Sequence, residues 1–308
     1  MDKENQIDMT QRAVRAMSGS STQFVPASRA EGRTDRQLSG IDVEPVRERE
    51  LPRRCYVGKV GISVTTMAQS LQLLDERVQE RLPAYVCVAN VQATVLSQRD
   101  PDFCRIQNDS FLTIPDGMPL IWYARMSGEQ TIARVTGPDL MIEILTMSSR
   151  CGYSHYFYGD TQETLWEMKR VIADRFPGAA IVGMESPPFR SLSDKELDET
   201  VRNINRLRPS FVWVALGCPK QERWIARVFP HIQSGILVGV GAAFRFLIGE
   251  YRHPSRALQR CGLEGIFWRG LKRPVYVAKW YAYHIPAFGF LLAKELAKRL
   301  VAPGHGSV

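Results

Sequence analysis

SFVWVALG, residues 210 to 217, and GILVGVG, residues 235 to 241, are the stretches that decide the fold of this chain. Each is a short apolar run that is rich in β-branched residues and ends in glycine, which is typical of a strand buried on both faces of a parallel sheet. Four similar runs precede them: AYVCVAN (84 to 90), FLTIPDG (111 to 117), SHYFYGD (154 to 160) and AAIVGM (179 to 184). Together the runs predict six strands.

The segments between these runs have helical periodicity. In residues 161 to 178, apolar side chains recur at helical spacing from Leu165 to Phe176, and Pro177-Gly178 ends the pattern. Alternating strands and helices imply right-handed crossovers. The sequence therefore predicts an α/β fold, a Rossmann-like and mostly parallel sheet with helices on both faces.

Composition divides the 308 residues into three parts. Residues 1 to 52 are polar and poor in aromatic and β-branched residues, so we predict a disordered tail. Residues 53 to 250 carry the α/β pattern. Residues 251 to 308 are basic and aromatic, and Lys279, His284 and Pro286 interrupt their apolar stretches, which favours a helical appendage that lies on an apolar surface over a membrane span.

Charge and motif content exclude several classes of protein. The net charge of +8 makes a polyanionic partner plausible. Six cysteines occur singly, the five histidines form no cluster, and no hydrolase elbow, Walker loop or metalloprotease motif is present. The N-terminus lacks the apolar core of a signal peptide, so we expect a protein that is neither secreted nor transmembrane.

Polar residues follow the apolar runs, where ligands bind in open parallel sheets. Asp116 follows the second run beside Ile114 and Pro115, whose apolar surroundings would raise its pKa, and it is our candidate general base. Asn90 follows the first run and Gly241 the sixth. The alternative for both Asp116 and Asn90 is a turn or helix-capping role.

Two further stretches supply candidate substrate-binding residues. ARVTGPDLM places Arg134 before a turn that opens a helix, whose amides at Gly137 and Asp139 favour phosphate. In GCPKQERW, Lys220, Gln221 and Glu222 would reach the same crevice. The alternatives are a surface arginine in the first stretch and a solvated helix start in the second.

Two familiar motifs are weak in this chain. GVGAAF lacks the last glycine of the dinucleotide fingerprint, because Phe244 takes its place. Asp100-Pro101-Asp102 spells the D-x-D pattern of metal-dependent glycosyltransferases, but it precedes a helical stretch and is predicted to cap it. We therefore predict no metal site.

The order of seven short motifs resembles the WecG/TagA/CpsF family of glycosyltransferases over roughly residues 55 to 275. These motifs are VANVQ, PDGMPLIW, RVTGPDLM, SPPFR, LGCPKQERWI, GVGAAF and GLEGIFWR. The resemblance implies an inverting transfer from a UDP-sugar to an undecaprenyl-diphosphate-linked saccharide, without bound metal or another cofactor, at the inner face of the bacterial plasma membrane.

The resemblance also assigns roles to residues. Asp116 matches the proposed base; Asn90, Arg134 and Gln221 match positions of the donor and catalytic pocket, with Gly137 and Glu222 beside them. Arg256 and Arg260, four residues apart after Pro254, would share a helix face and stabilise the departing diphosphate.

The family's C-terminal segment is linked to membrane docking and to closure of the active site, and the basic, aromatic C-terminus of this chain is similar. Aromatic residues would enter the interface, namely Trp280, Tyr281, Tyr283 and Phe288. Basic residues would meet anionic headgroups, namely Lys272, Arg273, Lys279, Lys294, Lys298 and Arg299. The alternative is a helix packed on the core or on another subunit of a homo-oligomer.

Three positions depart from the family pattern. Val88 stands where many members have threonine, Gln92 where many have glutamate, and Arg245 where an acid follows A-F. Our hypothesis is that Arg245 accommodates a different or more acidic donor sugar, and the alternative is that it has a new structural partner.

Two other functions remain open at this point. One is a non-catalytic partner in polysaccharide assembly, which the three departures permit. The other is a nucleotide-dependent oxidoreductase or a nucleic-acid binder, which charge and GVGAAF suggest. We favour the transferase because of the motif order, and expect no nucleic-acid partner.

Overall fold

The computed structural model describes residues 51–251 and 274–301. The described residues belong to one compact unit. The predicted disordered tail lies outside the described residues except for Leu51 and Pro52.

The described chain begins with a small hairpin that the sequence analysis does not predict. Strands β1 (Arg54–Val57) and β2 (Val60–Ser63) pair antiparallel across a turn that contains Gly58, whose φ is +62°. Both strands are four residues long, which gives little periodic signal.

The main sheet has six strands, and all of them were predicted. They are β3 (Ala84–Ala89), β4 (Leu112–Pro115), β5 (Ser154–Gly159), β6 (Ala180–Glu185), β7 (Phe211–Ala215) and β8 (Ile236–Gly239). The order across the sheet is β4-β3-β8-β7-β5-β6, and each neighbouring pair is parallel. The predicted parallel sheet is confirmed.

Ten helices connect or flank the strands in the described residues. They are α1 (Met67–Gln79), α2 (Val91–Ser97), α3 (Pro101–Asn108), α4 (Met118–Met126), α5 (Gly137–Cys151), α6 (Gln162–Arg175), α7 (Asp194–Leu207), α8 (Lys220–Val228), α9 (Ala243–Leu247) and α10 (Pro274–Val301).

Alternate residues of β7 show how the sheet divides the core. Phe211 and Trp213 pack in a cluster with residues of α1, α5, α6 and α9, whereas Val212 and Val214 pack with residues of α7 and α8. Because side chains alternate across a strand, these two clusters lie on opposite faces of the sheet. Helices therefore cover both faces, as predicted.

A third cluster joins the hairpin, α2, α4 and α10. Phe288 and Leu291 of α10 are buried against residues such as Val57 and Leu120. The predicted helical appendage is thus confirmed for residues 274 to 301, and one face of it packs on the core. Pro286 lies inside this helix without ending it.

Candidate active site

The carboxyl ends of β3 and β4 bring two predicted site residues together. These strands are neighbours, and the backbone N–H of Asp116 donates to the carbonyl of Ala89 over 2.8 Å. Asn90 comes directly after β3 and Asp116 directly after β4. Both lie at the edge of the sheet where the sequence placed the site.

Asp116 forms an ion pair with Arg134. Arg134 Nη2 donates to Asp116 Oδ1 over 3.4 Å, and Arg134 Nε donates to the Asp116 carbonyl. The two side chains are 16% and 26% exposed for Arg134 and Asp116 respectively, so the pair is partly shielded from water. The carboxylate expected among apolar neighbours thus has a guanidinium beside it, which holds Asp116 in place through two hydrogen bonds.

The helix-capping alternative for Asp116 is not what the structure shows. The N-cap of α4 is Gly117, which has no side chain to cap the helix. The Asp116 side chain instead pairs with Arg134. The segment that contains Arg134 lies beside the end of β4, because the Val135 N–H donates to the Pro115 carbonyl over 2.8 Å. Arg134 therefore lies at the carboxyl edge of the sheet, paired with Asp116, and its role in binding stays a prediction.

Asn90, in contrast, does cap a helix. Its Oδ1 accepts the backbone N–H of Ala93 over 3.0 Å at the start of α2. This satisfies one of the free amides of the first turn. The capping alternative is confirmed for Asn90, and its role in the pocket stays a prediction.

The N-terminus of α5 lies against the end of β8. A Cβ atom on Gly137 would lie 3.3 Å from the carbonyl oxygen of Val240, so glycine permits this close approach. Thr136 caps the helix by accepting the Asp139 N–H over 3.1 Å, and Asp139 adds a favourable negative charge to the first turn. The predicted phosphate-binding helix start thus lies beside Gly241.

Gln221 links the turns that follow β7 and β8. Its Oε1 accepts the backbone N–H of Gly217 over 3.2 Å and that of Gly241 over 2.9 Å. Both glycines have positive φ, +78° and +56°, a backbone conformation that residues with a side chain rarely adopt. Gln221 is 4% exposed, so its amide is a structural bridge at the edge of the crevice.

Its two neighbours in the motif differ sharply in burial. Lys220 is exposed at the first position of α8. Glu222 is 1% exposed, and its Oε1 accepts from Gln221 Nε2 over 2.9 Å. Burial raises the pKa of Glu222 to about 7, against a smaller opposing effect of this hydrogen bond and of a backbone hydrogen bond.

Arg245, the charge-reversing departure, pairs with two acids. Its Nε and Nη2 donate to Asp160 over 3.0 and 2.7 Å, and its Nη1 donates to both Glu250 oxygens over 3.1 Å. Asp160, directly after β5, holds a φ of +57°. The alternative of a new structural partner is confirmed, and the hypothesis of a different donor sugar stays a prediction.

We expect Arg245→Asp to destabilise the fold by about 2 kcal/mol, because three acidic side chains would then meet where the arginine now pairs with two. Urea unfolding measures this change in the free energy of unfolding. Arg170→Asp is the matched control, since Arg170 pairs with Glu167 on an exposed helix face and should lose less than about 1 kcal/mol. Equal losses in the two variants would contradict the expectation.

The other departures have ordinary surroundings. The Gln92 Oε1 accepts the indole N–H of Trp280 over 3.2 Å, which ties α2 to α10. Val88 packs at the margin of the core. Its half-buried position in β3 explains why an apolar residue is tolerated there.

The D-x-D pattern is a helix cap, as predicted. Asp100 Oδ1 accepts the backbone N–H of Phe103 over 3.0 Å at the start of α3, and Asp102 pairs with Arg105 on the exposed face. Within residues 51–251 and 274–301, no three His, Cys, Asp or Glu side chains are grouped as metal ligands would be. Arg256 and Arg260 lie outside the described residues.

Sequence reasoning missed the partner of Arg245 and the contact between Gln92 and Trp280. Asp160 ends the third apolar run, so its place at the strand end was available as a signal. Trp280 lies 188 residues from Gln92, and no sequence pattern joins them.

The sheet edge carries an acid paired with an arginine, a helix N-terminus and glycine-rich turns. Enzymes with open parallel α/β sheets hold phosphate-bearing ligands in such crevices. Within that class, the chain belongs to the glycosyl transferase WecG/TagA/CpsF family, whose model matches residues 55–301. It is therefore a glycosyltransferase.

Curated relatives that are named as sugar transferases align with this chain over most of their length. An N-acetylglucosaminyldiphosphoundecaprenol N-acetyl-beta-D-mannosaminyltransferase of Bacillus subtilis is 22% identical over 71% of this chain and 82% of the relative. Proteins of the same name from Bacillus spizizenii and Staphylococcus aureus are 24% and 21% identical, over 64% and 82% of this chain and 73% and 97% of the relatives.

Proposed function

We propose that this glycosyltransferase moves a sugar from a UDP-sugar to an undecaprenyl-diphosphate-linked saccharide with inversion at the anomeric carbon. The observation that carries the proposal is the Asp116–Arg134 pair at the carboxyl edge of β3 and β4, beside the N-terminus of α5. The names of the relatives support the acceptor, because each acts on an N-acetylglucosaminyl-diphosphoundecaprenol.

In the proposed reaction, Asp116 is the general base. Its carboxylate accepts the proton of the acceptor hydroxyl while that oxygen attacks the anomeric carbon of the donor. The bond from this carbon to the diphosphate breaks at the same time, and UDP leaves with the bonding electrons. Arg134 holds the base in position through its two hydrogen bonds to Asp116.

The departing UDP gains negative charge, which needs stabilisation at the edge of the sheet. We propose that the N-terminus of α5 at Gly137 and Asp139 receives this charge through its positive helix end, with the turn at Gly241 beside it, although the Asp139 N–H is already bound to the Thr136 side chain. Lys220, Arg256 and Arg260 are further predicted cations. We propose that these groups act without a metal ion or another cofactor.

The donor class follows from the relatives only as a proposal. Their names specify an N-acetylmannosaminyl group, so N-acetylmannosamine is the first donor sugar to test. A uronic acid or a hexose is the alternative, with Arg245 as the residue that differs from the family pattern. The product would enter an exopolysaccharide, a capsule or a cell-wall polymer.

A UDP-release assay tests the proposal. Purified protein is incubated with a panel of UDP-sugars and a short-chain lipid-diphosphate saccharide, with and without chelator. We expect acceptor-dependent release from one donor that the chelator does not change. Release that needs added metal would contradict the metal-free mechanism, and no release from any donor would favour a non-catalytic partner in polysaccharide assembly.

We further propose that α10 binds the inner face of the plasma membrane, where the acceptor lipid resides. Within the two described segments, no helix combines the length and apolarity needed to cross a membrane. The face of α10 opposite Phe288 and Leu291 is instead an exposed apolar stripe at helical spacing. Its members are Val275, Ala278, Ala282, Ile285, Gly289, Phe290, Ala293 and Ala297.

Exposed lysines of α10 support an anionic bilayer surface as its partner. Lys279, Lys294 and Lys298 are all exposed on α10. Basic residues flanking an apolar face are typical of helices that lie in the interface of anionic membranes. The sequence analysis placed Phe288 and Trp280 in the membrane interface, but Phe288 is buried and Trp280 packs against the same core cluster. The proposed membrane-docking role therefore belongs to the exposed face of the helix.

We expect the double variant Ile285→Ser, Phe290→Ser to bind vesicles that contain anionic phospholipid about tenfold more weakly than the wild type, because two exposed apolar side chains leave the interface. Vesicle co-sedimentation measures the partition. Phe189→Ser is the matched control, since Phe189 is 89% exposed in the loop after β6. Unchanged binding of the double variant would rule out this face as the docking surface.

A further inference from the structure

Glu222 is a buried acid that the proposed mechanism does not use. Its side chain lies in the first turn of α8, where Oε1 accepts from Gln221 Nε2 over 2.9 Å. Its other oxygen, Oε2, is buried and has no hydrogen-bond partner within the described residues. Burial of a carboxyl oxygen without a hydrogen-bond partner destabilises the fold. A functional role of Glu222 would account for its presence.

Glu222 and two backbone N–H groups fix the orientation of the Gln221 side-chain amide. Gly217 and Gly241 both present backbone N–H donors to this side chain, so its carbonyl oxygen must face them. The amide nitrogen then faces Glu222 Oε1, which accepts. A Cβ atom on Gly239 would lie 3.0 Å from that nitrogen, so the amide is confined against the end of β8.

The surroundings of Glu222 favour its neutral form. The titratable groups that interact with it are Cys87 of β3 and Cys218 of the turn before α8. The charged residues Arg223 of α8 and Asp100, at the start of α3, pair with each other at the surface. Within the described residues no cation pairs with Glu222, and burial accordingly raises its pKa to about 7.

We propose that Glu222 is a positioning residue of the active site, which acts through Gln221 to hold the turn after β7 to the turn after β8. Ionisation leaves a buried charge without a cation, and this cost is relieved when Glu222 moves toward water and away from Gln221, which breaks the link. The effect on turnover rests on the proposed function, whereas the burial of a neutral acid does not.

Two variants separate the parts of the proposal in the UDP-release assay. Glu222→Gln keeps an acceptor for Gln221 Nε2 and stays neutral, so we expect kcat within about threefold of the wild type near pH 6.5 and no loss at higher pH. Wild-type kcat should fall roughly tenfold from pH 7 to pH 8.5. Glu222→Leu removes the acceptor and should lower kcat about tenfold at every pH, with a smaller change in the KM for the donor.

Thermal unfolding tests the neutral acid independently of activity. Between about pH 4.5 and 7 the folded protein keeps the Glu222 proton while the unfolded chain has lost it, so the wild type loses stability as pH rises through this window. Glu222→Gln lacks this loss. Its Tm relative to the wild type should therefore rise from pH 5 to pH 8, by roughly 5 °C.

Glu185→Gln is the control, because Glu185 lies on β6, the outer strand of the sheet, where it accepts hydroxyl hydrogen bonds from Tyr156 and Thr200. This variant should keep the wild-type pH profile of activity. A Tm difference between Glu222→Gln and the wild type that does not change with pH would contradict the claim that Glu222 keeps its proton in the folded protein. Wild-type turnover in Glu222→Leu, or alkaline loss in Glu222→Gln, would overturn the positioning role; absence of turnover in the wild type alone would count against the proposed function.

Discussion

Asp116→Asn is expected to lower kcat for sugar transfer about a thousandfold while leaving the fold intact. The amide keeps the size of the carboxylate but cannot accept the proton of the acceptor hydroxyl. The backbone links of this residue, from its N–H to Ala89 and from its carbonyl to Arg134, do not involve the carboxylate and would remain. UDP release with acceptor, at saturating donor, measures the change.

Asp102→Asn provides the matched control for this substitution. Asp102 belongs to the D-x-D pattern, is exposed and pairs with Arg105, so its loss should leave kcat unchanged. Thermal unfolding of both variants shows whether each is folded. An Asp116→Asn protein that is folded and retains more than about a tenth of the wild-type kcat would remove Asp116 from the role of general base.

Arg134→Ala carries the second-largest expected effect, a loss of about a hundredfold in kcat/KM for the donor. Arg134 holds both the carbonyl and the carboxylate of Asp116, and it lies two residues before the helix start at Thr136. Its removal withdraws a cation from the crevice and frees the base to rotate. Initial rates over a range of donor concentrations separate kcat from KM.

Two further variants show whether the loss in Arg134→Ala comes from the charge and position of this residue. Arg134→Lys restores a positive charge without the planar fork of the guanidinium, so we expect partial recovery of kcat/KM. Arg105→Ala removes an exposed arginine from α3 and should leave the kinetics unchanged. Wild-type kinetics in Arg134→Ala would show that the ion pair with Asp116 is structural only.

The sheet was predictable because its strands are buried on both faces. The run from Phe211 to Ala215 is apolar throughout since each side chain enters one of two cores, and such a run needs no partner to be recognised. The β1–β2 hairpin was not predicted, because its strands are short and its pairing depends on contacts such as those of Arg54 with the carbonyls of Gln107 and Ser110.

The site was predictable in part for a related reason. Asn90, Asp116, Gly217 and Gly241 follow buried strands, and parallel topology gathers all strand ends at one edge. What the sequence does not contain is which side chains then touch. Asp116 pairs with Arg134 at 18 positions' separation, and the same order of motifs is compatible with a helix-capping role for Asp116.

Glu222 and Arg245 show the limit most clearly. The sequence places Glu222 in a polar turn, and packing of α8 then buries it almost completely. Arg245 is 85 positions from Asp160, and the packing of α9 brings the two side chains together at the end of β5. Long-range pairs of this kind are fixed by tertiary packing, not by local pattern.

The most direct measurement of the central claim is the mass and anomeric configuration of the lipid product. Wild-type protein is incubated with the donor that supports UDP release and with the lipid-diphosphate saccharide, and the extracted lipid is analysed by mass spectrometry and NMR. The account predicts an acceptor heavier by one sugar residue with inverted anomeric configuration, absent with Asp116→Asn. An unextended acceptor, or a product with retained configuration, would contradict it.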